Sequence, residues 1–387
     1  MWTIYRLPVQ DDGTDGTPDH NCPLRNDGTG HGPCIGDYPH IGADANGFYI
    51  TTNEYAFFPD NIYMSAQIYA FSKSALASGA ANVAVTQFDT TGAVNSVTGP
   101  QPGFTVWPAV SPGTAYESGA NGTEYFLSSN AAEEATGAGG GGTSTELIAW
   151  ALTNTKSLQC ANPALNLSNT VLSVNQYAIP PKAKQPGSGT LADKITTPNV
   201  PLGDCVNDTT LSTPFGPGCW QILFFPPEPP PTEVVSRLDS NDTRMQQVTF
   251  ANGKLWGALD TALTLDGQNR AGIEWFIVKP SLSSTGVSAA LATQGYLGVA
   301  GADLTYPAIG VTPSGRGVMA FTLTGDSTFP SAGYAALDAQ VGVGDVHIAA
   351  AGLGVDDGFT SYKAFVGNPP RTRWGDYGAA VVDGNNI

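Results

Sequence analysis

Positive charge is scarce in this chain. Against 33 Asp and Glu stand 16 Lys and Arg, a formal net charge of -17 with a pI near 4.4. A surface of that sign repels phosphate backbones and anionic headgroups, which argues against nucleic acid or a membrane surface as a partner. Long apolar runs are missing as well, since none approaches the ~20 residues of a spanning helix. Gly-x-Ser-x-Gly, a phosphate loop and His-Glu-x-x-His are all absent, so the common nucleophile and zinc-hydrolase readings have no footing.

Cysteine is scarce, with five residues at 22, 34, 160, 205 and 219 and no Cys-x-x-Cys pair or other zinc spacing. Cys22 and Cys34 bracket one short polar loop and Cys205 and Cys219 another. That arrangement suggests two local disulfides with Cys160 left over, and hence a secreted, oxidising setting. Met1 runs directly into the alternating stretch Trp2-Thr3-Ile4-Tyr5-Arg6-Leu7, so the expectation is a mature or trimmed form without a leader.

Glycine (47) and proline (29) are abundant while only 13% of residues are charged, the balance of a turn-dense all-β protein. Its organising stretch is Gly36 to Asn53. There an apolar strand, an Asn46-Gly47 turn and the aromatic, β-branched run Phe48-Tyr49-Ile50-Thr51-Thr52 read as a β-hairpin. Weakened copies return at Trp107-Pro108-Ala109, Met245-Gln246-Gln247, Tyr306-Pro307-Ala308 and Tyr377-Gly378-Ala379. Repeated hairpins mark a β-propeller. The copies start at 39, 108, 246, 307 and 378, with one gap about double the others. The middle of that gap is Pro-rich (Phe225-Pro226-Pro227-Glu228-Pro229-Pro230-Pro231), and proline is poorly tolerated inside a sheet.

The expectation is therefore a single all-β domain, a five-bladed β-propeller with a Pro/Gly-rich insertion between blades two and three. Its parts are a closing strand at 1–9 that completes the last blade, an acidic loop at 10–35, blade one at 37–100 and blade two at 106–178. The insertion occupies 179–243, followed by blade three at 244–299, blade four at 305–367 and a partial blade five at 374–387.

In a propeller the first strand of each blade lines the central channel. The repeat places Asp37, Val106, Arg244, Thr305 and Asp376 at the openings of these strands. Ring closure would set Asp37 beside Asp376, two carboxylates able to do acid/base work, hold a cation, or cap inner strands by accepting backbone hydrogen bonds. His40, Arg244, Arg371 and Arg373 are their companions at the channel mouth. His40 stands where the other copies have Ala109, Gln247, Ala308 and Ala379, so the repeat itself does not require it. In the acidic loop, Asp11, Asp15 and Asp19 with Gly16 follow the spacing of extracellular calcium loops, so Ca2+ is the cofactor expected there, a solvated acidic turn being the alternative. His20 and His31 flank the same loop and could join a metal there, idle loop histidines being the alternative.

The stretch Asp37-Tyr38-Pro39 through Gly47-Phe48-Tyr49-Ile50-Thr51-Thr52 resembles the opening blade of five-bladed glycosidases of the arabinanase and β-xylosidase class. That resemblance implies a general base at Asp37. Tyr38 stands between the Asp and the Pro, and Met245-Gln246-Gln247 occupies the place of that class's general acid, which leaves Glu54, Glu117 and Glu274 as candidates for the second carboxyl. A wider likeness is to uncharacterised secreted bacterial propellers carrying the Tyr-Pro-x-Ile-Gly-x-Asp-Ala-Asn-Gly-Phe-Tyr and Arg-Trp-Gly-Asp-Tyr strings.

The functional expectation is a secreted propeller that binds, and in one form hydrolyses, an extracellular carbohydrate at the channel mouth. Asp37 and Asp376 would be catalytic, His40, Arg244 and Arg373 substrate-binding, and Tyr55, Phe57, Phe58 and Trp220 stacking faces for sugar rings. The rival expectation is a non-catalytic module for a protein partner or surface display.

Overall fold

A computed structural model describes residues 3–24, 30–57, 62–93, 95–96, 99–100, 102–130, 142–188, 212–213, 216–217, 237–356, 364–365, 371–384 and 386–387. Cys205, Cys219, Phe58 and Trp220, and with them the second expected disulfide, lie outside the described residues.

Four antiparallel four-stranded sheets follow one another along the chain in a propeller-like β fold. Blade one contains β1 (Cys34–Ala43), β2 (Gly47–Ala56), β3 (Tyr63–Ser72) and β4 (Val85–Asp89), with the short helix α1 (Lys73–Ala77) after β3. Blade two contains β5 (Phe104–Pro108), β6 (Thr123–Ser129), β7 (Thr143–Thr153) and β8 (Asn166–Ala178). Blade three is β9 (Thr249–Ala251), β10 (Lys254–Leu265), β11 (Gln268–Ser283) and β12 (Gly286–Leu297), and blade four is β13 (Ala302–Val311), β14 (Arg316–Gly325), β15 (Thr328–Asp338) and β16 (Gly342–Ala350). No helix among the described residues is long and apolar enough to cross a membrane.

The blades pack in order through apolar interfaces. Tyr49, Ile68, Phe126 and Trp150 fill the layer between blades one and two, Tyr125, Leu127, Phe250 and Phe276 that between two and three, and Trp256, Trp275, Phe321 and Met319 that between three and four. Burying one such side chain contributes about 1.5–3 kcal/mol. Gly42 allows the first of these approaches, because a Cβ there would stand 2.5 Å from Pro108 Cβ.

The inner strands of blades one, two and four each carry a bulge. Registers break between Asp37 and His40, between Phe104 and Trp107, and between Thr305 and Ala308. Inside each break one residue has left-handed backbone: Tyr38 (φ 54), Thr105 (φ 54) and Tyr306 (φ 57). Such conformations are costly for residues other than glycine and persist where their surroundings hold them. Here the preceding blade does so, since Thr105 N donates to Asn53 Oδ1 (2.9 Å) and Tyr306 N to Asp260 Oδ1 (2.9 Å). The bulge thus frees an amide that ties one blade to the next. It also corrects the repeat alignment in blade two, because Phe104, not Val106, shares the position of Asp37 and Thr305.

Two expectations at the chain ends are overturned. Residues 3–10 form no strand and run beside blade one: Tyr5 Oη donates to Ala80 O (2.9 Å), and Ile4 to Pro8 line a groove together with Phe48, Ile50, Phe71 and Val85. The described residues of 373–387 form no blade either and contain one isolated bridge, Asp383–Asn386. Instead the segment follows the inner strands. Trp374 Nε1 donates to Thr322 Oγ1 (3.1 Å), Tyr306 Oη to Gly375 O (3.2 Å), Tyr38 Oη to Asp376 O (2.5 Å), and Ala380 exchanges two hydrogen bonds with the Gln247 carboxamide. A three-stranded sheet of Arg237–Leu238, Arg371–Thr372 and Ala364–Phe365 brings the end of the insertion beside this segment.

Candidate functional site

At the axis an aromatic cluster gathers on the bulged strands. His40 stacks on Trp107 with ring centroids 3.6 Å apart, and Tyr38 meets His40 edge-on at 4.5 Å. Tyr377 of the C-terminal segment closes over them, 5.2 Å from Tyr38 and 5.8 Å from His40. Burial, with the Arg244 charge second, pushes the His40 imidazole down to about 3, so it is neutral, and its Nε2 has no hydrogen-bond partner. Arg244 lies over the Tyr38 ring at 4.4 Å and grips Asp242 through two hydrogen bonds of 2.8 and 2.5 Å.

The structure brings the expected axial residues together unevenly. His40, Arg244, Asp376 and Arg373 all border the cluster, but Arg373 is ion-paired to the Asp376 carboxylate and Arg244 to Asp242. Asp37 is exposed on β1, and among the described residues no hydrogen bond or ion pair joins it to Asp376. The two carboxylates are thus neighbours in chain contact, through Tyr38 and Asp376 O, without forming a catalytic pair.

Beside the cluster, between blade four and the C-terminal segment, runs a groove of about 360 Å³. Tyr306, Phe321, Trp374 and Tyr377 supply its aromatic faces, and Thr322 and Ser331 its hydroxyls. Tyr377 is 53% exposed and presents an open ring at the mouth. The aromatic expectations fall elsewhere: Tyr55 and Phe57 lie at the end of β2, and Tyr55 packs edge-on against Tyr63 at 5.5 Å.

The acidic loop folds onto the far side of blade one. Asp12 pairs with Asp19, and His20 N donates to Asp11 O (2.9 Å), so the loop is a tight hairpin with Asp11 and His20 side by side at its base. The Cys22–Cys34 disulfide fixes it to β1. Asp11 is fully buried with His20 and Glu54, whereas Asp15 and Asp19 turn elsewhere: Asp15 accepts from Gln10 (3.3 Å), and Asp19 from Asn21 N (2.9 Å) with His31 at 3.7 Å. The three loop acids therefore do not converge on one ion.

Glu54, drawn in here from β2, sits at the end of a polar ladder. Its Oε1 is 2.9 Å from His20 Nδ1, and its Oε2 accepts from Ser65 Oγ and Gln67 Nε2, both at 3.2 Å. Burial, opposed by the His20 hydrogen bond and aided by Asp11, pushes the Glu54 carboxyl up to about 7. For His20, burial opposes the charged ring, yet the bond to Glu54 and the charges of Glu54, Asp89 and Asp11 hold it above its ordinary value. Sequence reasoning named His20 and Glu54 separately and had no signal joining them. It missed Trp107, Trp374 and Tyr377 as axial residues, although the Arg-Trp-Gly-Asp-Tyr string was in view.

A scan against known protein families returns no match, and no curated protein matches. Among solved structures, two mutant forms of Synechocystis apocarotenoid oxygenase resemble the chain at 9% identity, with TM-scores of 0.27 and 0.26. They cover 82% and 83% of this chain, which spans 62% and 63% of their length. A likeness this slight carries no argument about activity.

Proposed function

We propose that the protein is an extracellular recognition module that binds a carbohydrate in the groove between blade four and the C-terminal segment. The observation that carries the reading is the lining of that groove, where Trp374, Tyr377, Tyr306 and Phe321 alternate with the hydroxyls of Thr322 and Ser331. Aromatic faces suit the apolar face of a sugar ring and hydroxyls its edge, and the volume lies at the small end of the range of ligand pockets. The Cys22–Cys34 disulfide is compatible with an oxidising compartment. On this reading the ring is a propeller whose fifth position is taken by the C-terminal segment with the small sheet that includes Arg237–Leu238.

Turnover is not part of the proposal. An inverting glycosidase needs two free carboxyls roughly 6.5–9.5 Å apart, and Asp376 is engaged by Arg373 while Asp37 lies exposed. A glycan array, with reducing-sugar release measured on its hits, tests the reading. Binding without release, lost in Trp374→Ala and Tyr377→Ala, is the expected result. No binding, or binding indifferent to both substitutions, would reject it.

A protein partner is a second reading, favoured by the outward face of blade four. Tyr334 and His347 lie there as an open tilted pair, centroids 5.3 Å apart, on a face that a closed ring would cover.

A further inference from the structure

The base of the N-terminal hairpin holds a donor set that the loop's acidic spacing did not foretell. Asp11, His20 and Glu54 each offer one ligand atom, and these atoms lie within 4.8 Å of one another. His20 Nδ1 is 2.9 Å from Glu54 Oε1 and 3.5 Å from Asp11 Oδ2. Tetrahedral coordination with bonds of 2.0–2.2 Å sets donors about 3.3–3.6 Å apart, so the His20–Asp11 edge already meets the requirement and the His20–Glu54 edge has to open by about 0.5 Å.

Independent of the cluster's composition, two buried oxygens at this place have no partner. Asp11 Oδ1 makes no hydrogen bond although the residue is fully buried, and the same is true of the Tyr69 hydroxyl, whose residue is 1% exposed. Tyr69 stands opposite Gln87 on β4, the residue whose amide reaches Asp11. Buried polar atoms are ordinarily satisfied, and an orphan calls for an unseen water or ion. The surrounding amides already orient the donors, since Gln87 Nε2 donates to Asp11 Oδ2 at 2.8 Å and Gln67 Nε2 to Glu54 Oε2 at 3.2 Å. Metal sites are commonly braced by such outer bonds.

We propose that Asp11, His20 and Glu54 bind a divalent transition cation of the zinc type, clamping the N-terminal hairpin to blade one. The imidazole selects against calcium, which takes oxygen donors, and favours zinc. Ligands come from the hairpin (Asp11, His20) and from the sheet (Glu54), so the ion cross-links two parts of the chain that the Cys22–Cys34 disulfide joins at one point only.

Isothermal titration of the chelator-stripped full chain with zinc chloride is the test, followed by visible absorption of the cobalt(II)-loaded protein. One zinc per chain and intense tetrahedral cobalt bands are expected. Affinity should fall by more than about 100-fold in His20→Ala and Glu54→Gln, above the 10–100-fold loss typical of outer-shell changes, and stay unchanged in Asp15→Asn and Asp19→Asn. The absence of saturable zinc binding by the unmutated protein would overturn the proposal without reliance on any variant's folding. So would affinity unaltered in His20→Ala, or calcium displacing zinc.

Discussion

The two end blades finish their outward faces in opposite ways. On blade one the cross-strand set Thr52–Gln67 and Ile50–Tyr69 is covered by the N-terminal arm, and Gln67 and Tyr69 are 0% and 1% exposed. On blade four the corresponding outward set, Ala320, Thr322, Ala332 and Tyr334, is half open, and only its axial end is covered, by Trp374 and Tyr377. The blade-one face tolerates buried acids and amides because the hairpin returns partners to them. The blade-four face keeps small and hydroxylated residues that need none.

That contrast breaks most sharply at two tyrosines on the third strands. Tyr69→Ala should destabilise the protein by about 3–5 kcal/mol, the range for truncating a buried aromatic. Urea unfolding would measure it. A loss under about 1 kcal/mol would mean the arm does not cover this face in solution.

A smaller effect comes from between the ends. Glu274, in the middle of β11, is fully buried, both its oxygens lack partners, and burial pushes its carboxyl up to about 8. The folded state therefore holds a proton that the unfolded chain releases at its ordinary, lower pKa. Stability is lost as pH rises from that ordinary value through about 8. Glu274→Gln should match the parent at pH 5 and exceed it at pH 9 by roughly 1–3 kcal/mol, the cost of a buried group left unsatisfied. Melting curves across that interval check it, and parallel curves would contradict it. Smallest of all, Tyr334→Ala on the open face should change stability by no more than about 0.5 kcal/mol. A larger loss would show that something covers blade four.

Sequence patterning reached the hairpins because their signals are local. Asn46-Gly47 between alternating runs, and Tyr306-Pro307 before Val318-Met319, each specify turn and strand within ~20 residues. It also paired Cys22 with Cys34 correctly. Gly375-Asp376-Tyr377 misled because it copies Gly36-Asp37-Tyr38 closely. A segment lying along the axis meets the same neighbours as an inner strand, so likeness to the repeat does not distinguish the two. Asp11, His20 and Glu54 were illegible as a group for another reason. They join a loop to a sheet across 34 residues between His20 and Glu54, where no periodicity operates.

Residues 374–380 bridge blade four to blade one. Thr322 makes the point structurally: opposite Thr305 in its blade, it stands where Asn53 stands opposite Asp37, and its hydroxyl accepts from Trp374 Nε1 as Asn53 Oδ1 accepts from the next blade's Thr105 N. Hydrogen exchange on the Trp374→Ala, Tyr377→Ala double variant tests this most directly. Amides of 38–42 in blade one and 306–310 in blade four should lose protection together while those of β7 and β11 keep theirs. Unchanged protection in blade one would contradict the bridge.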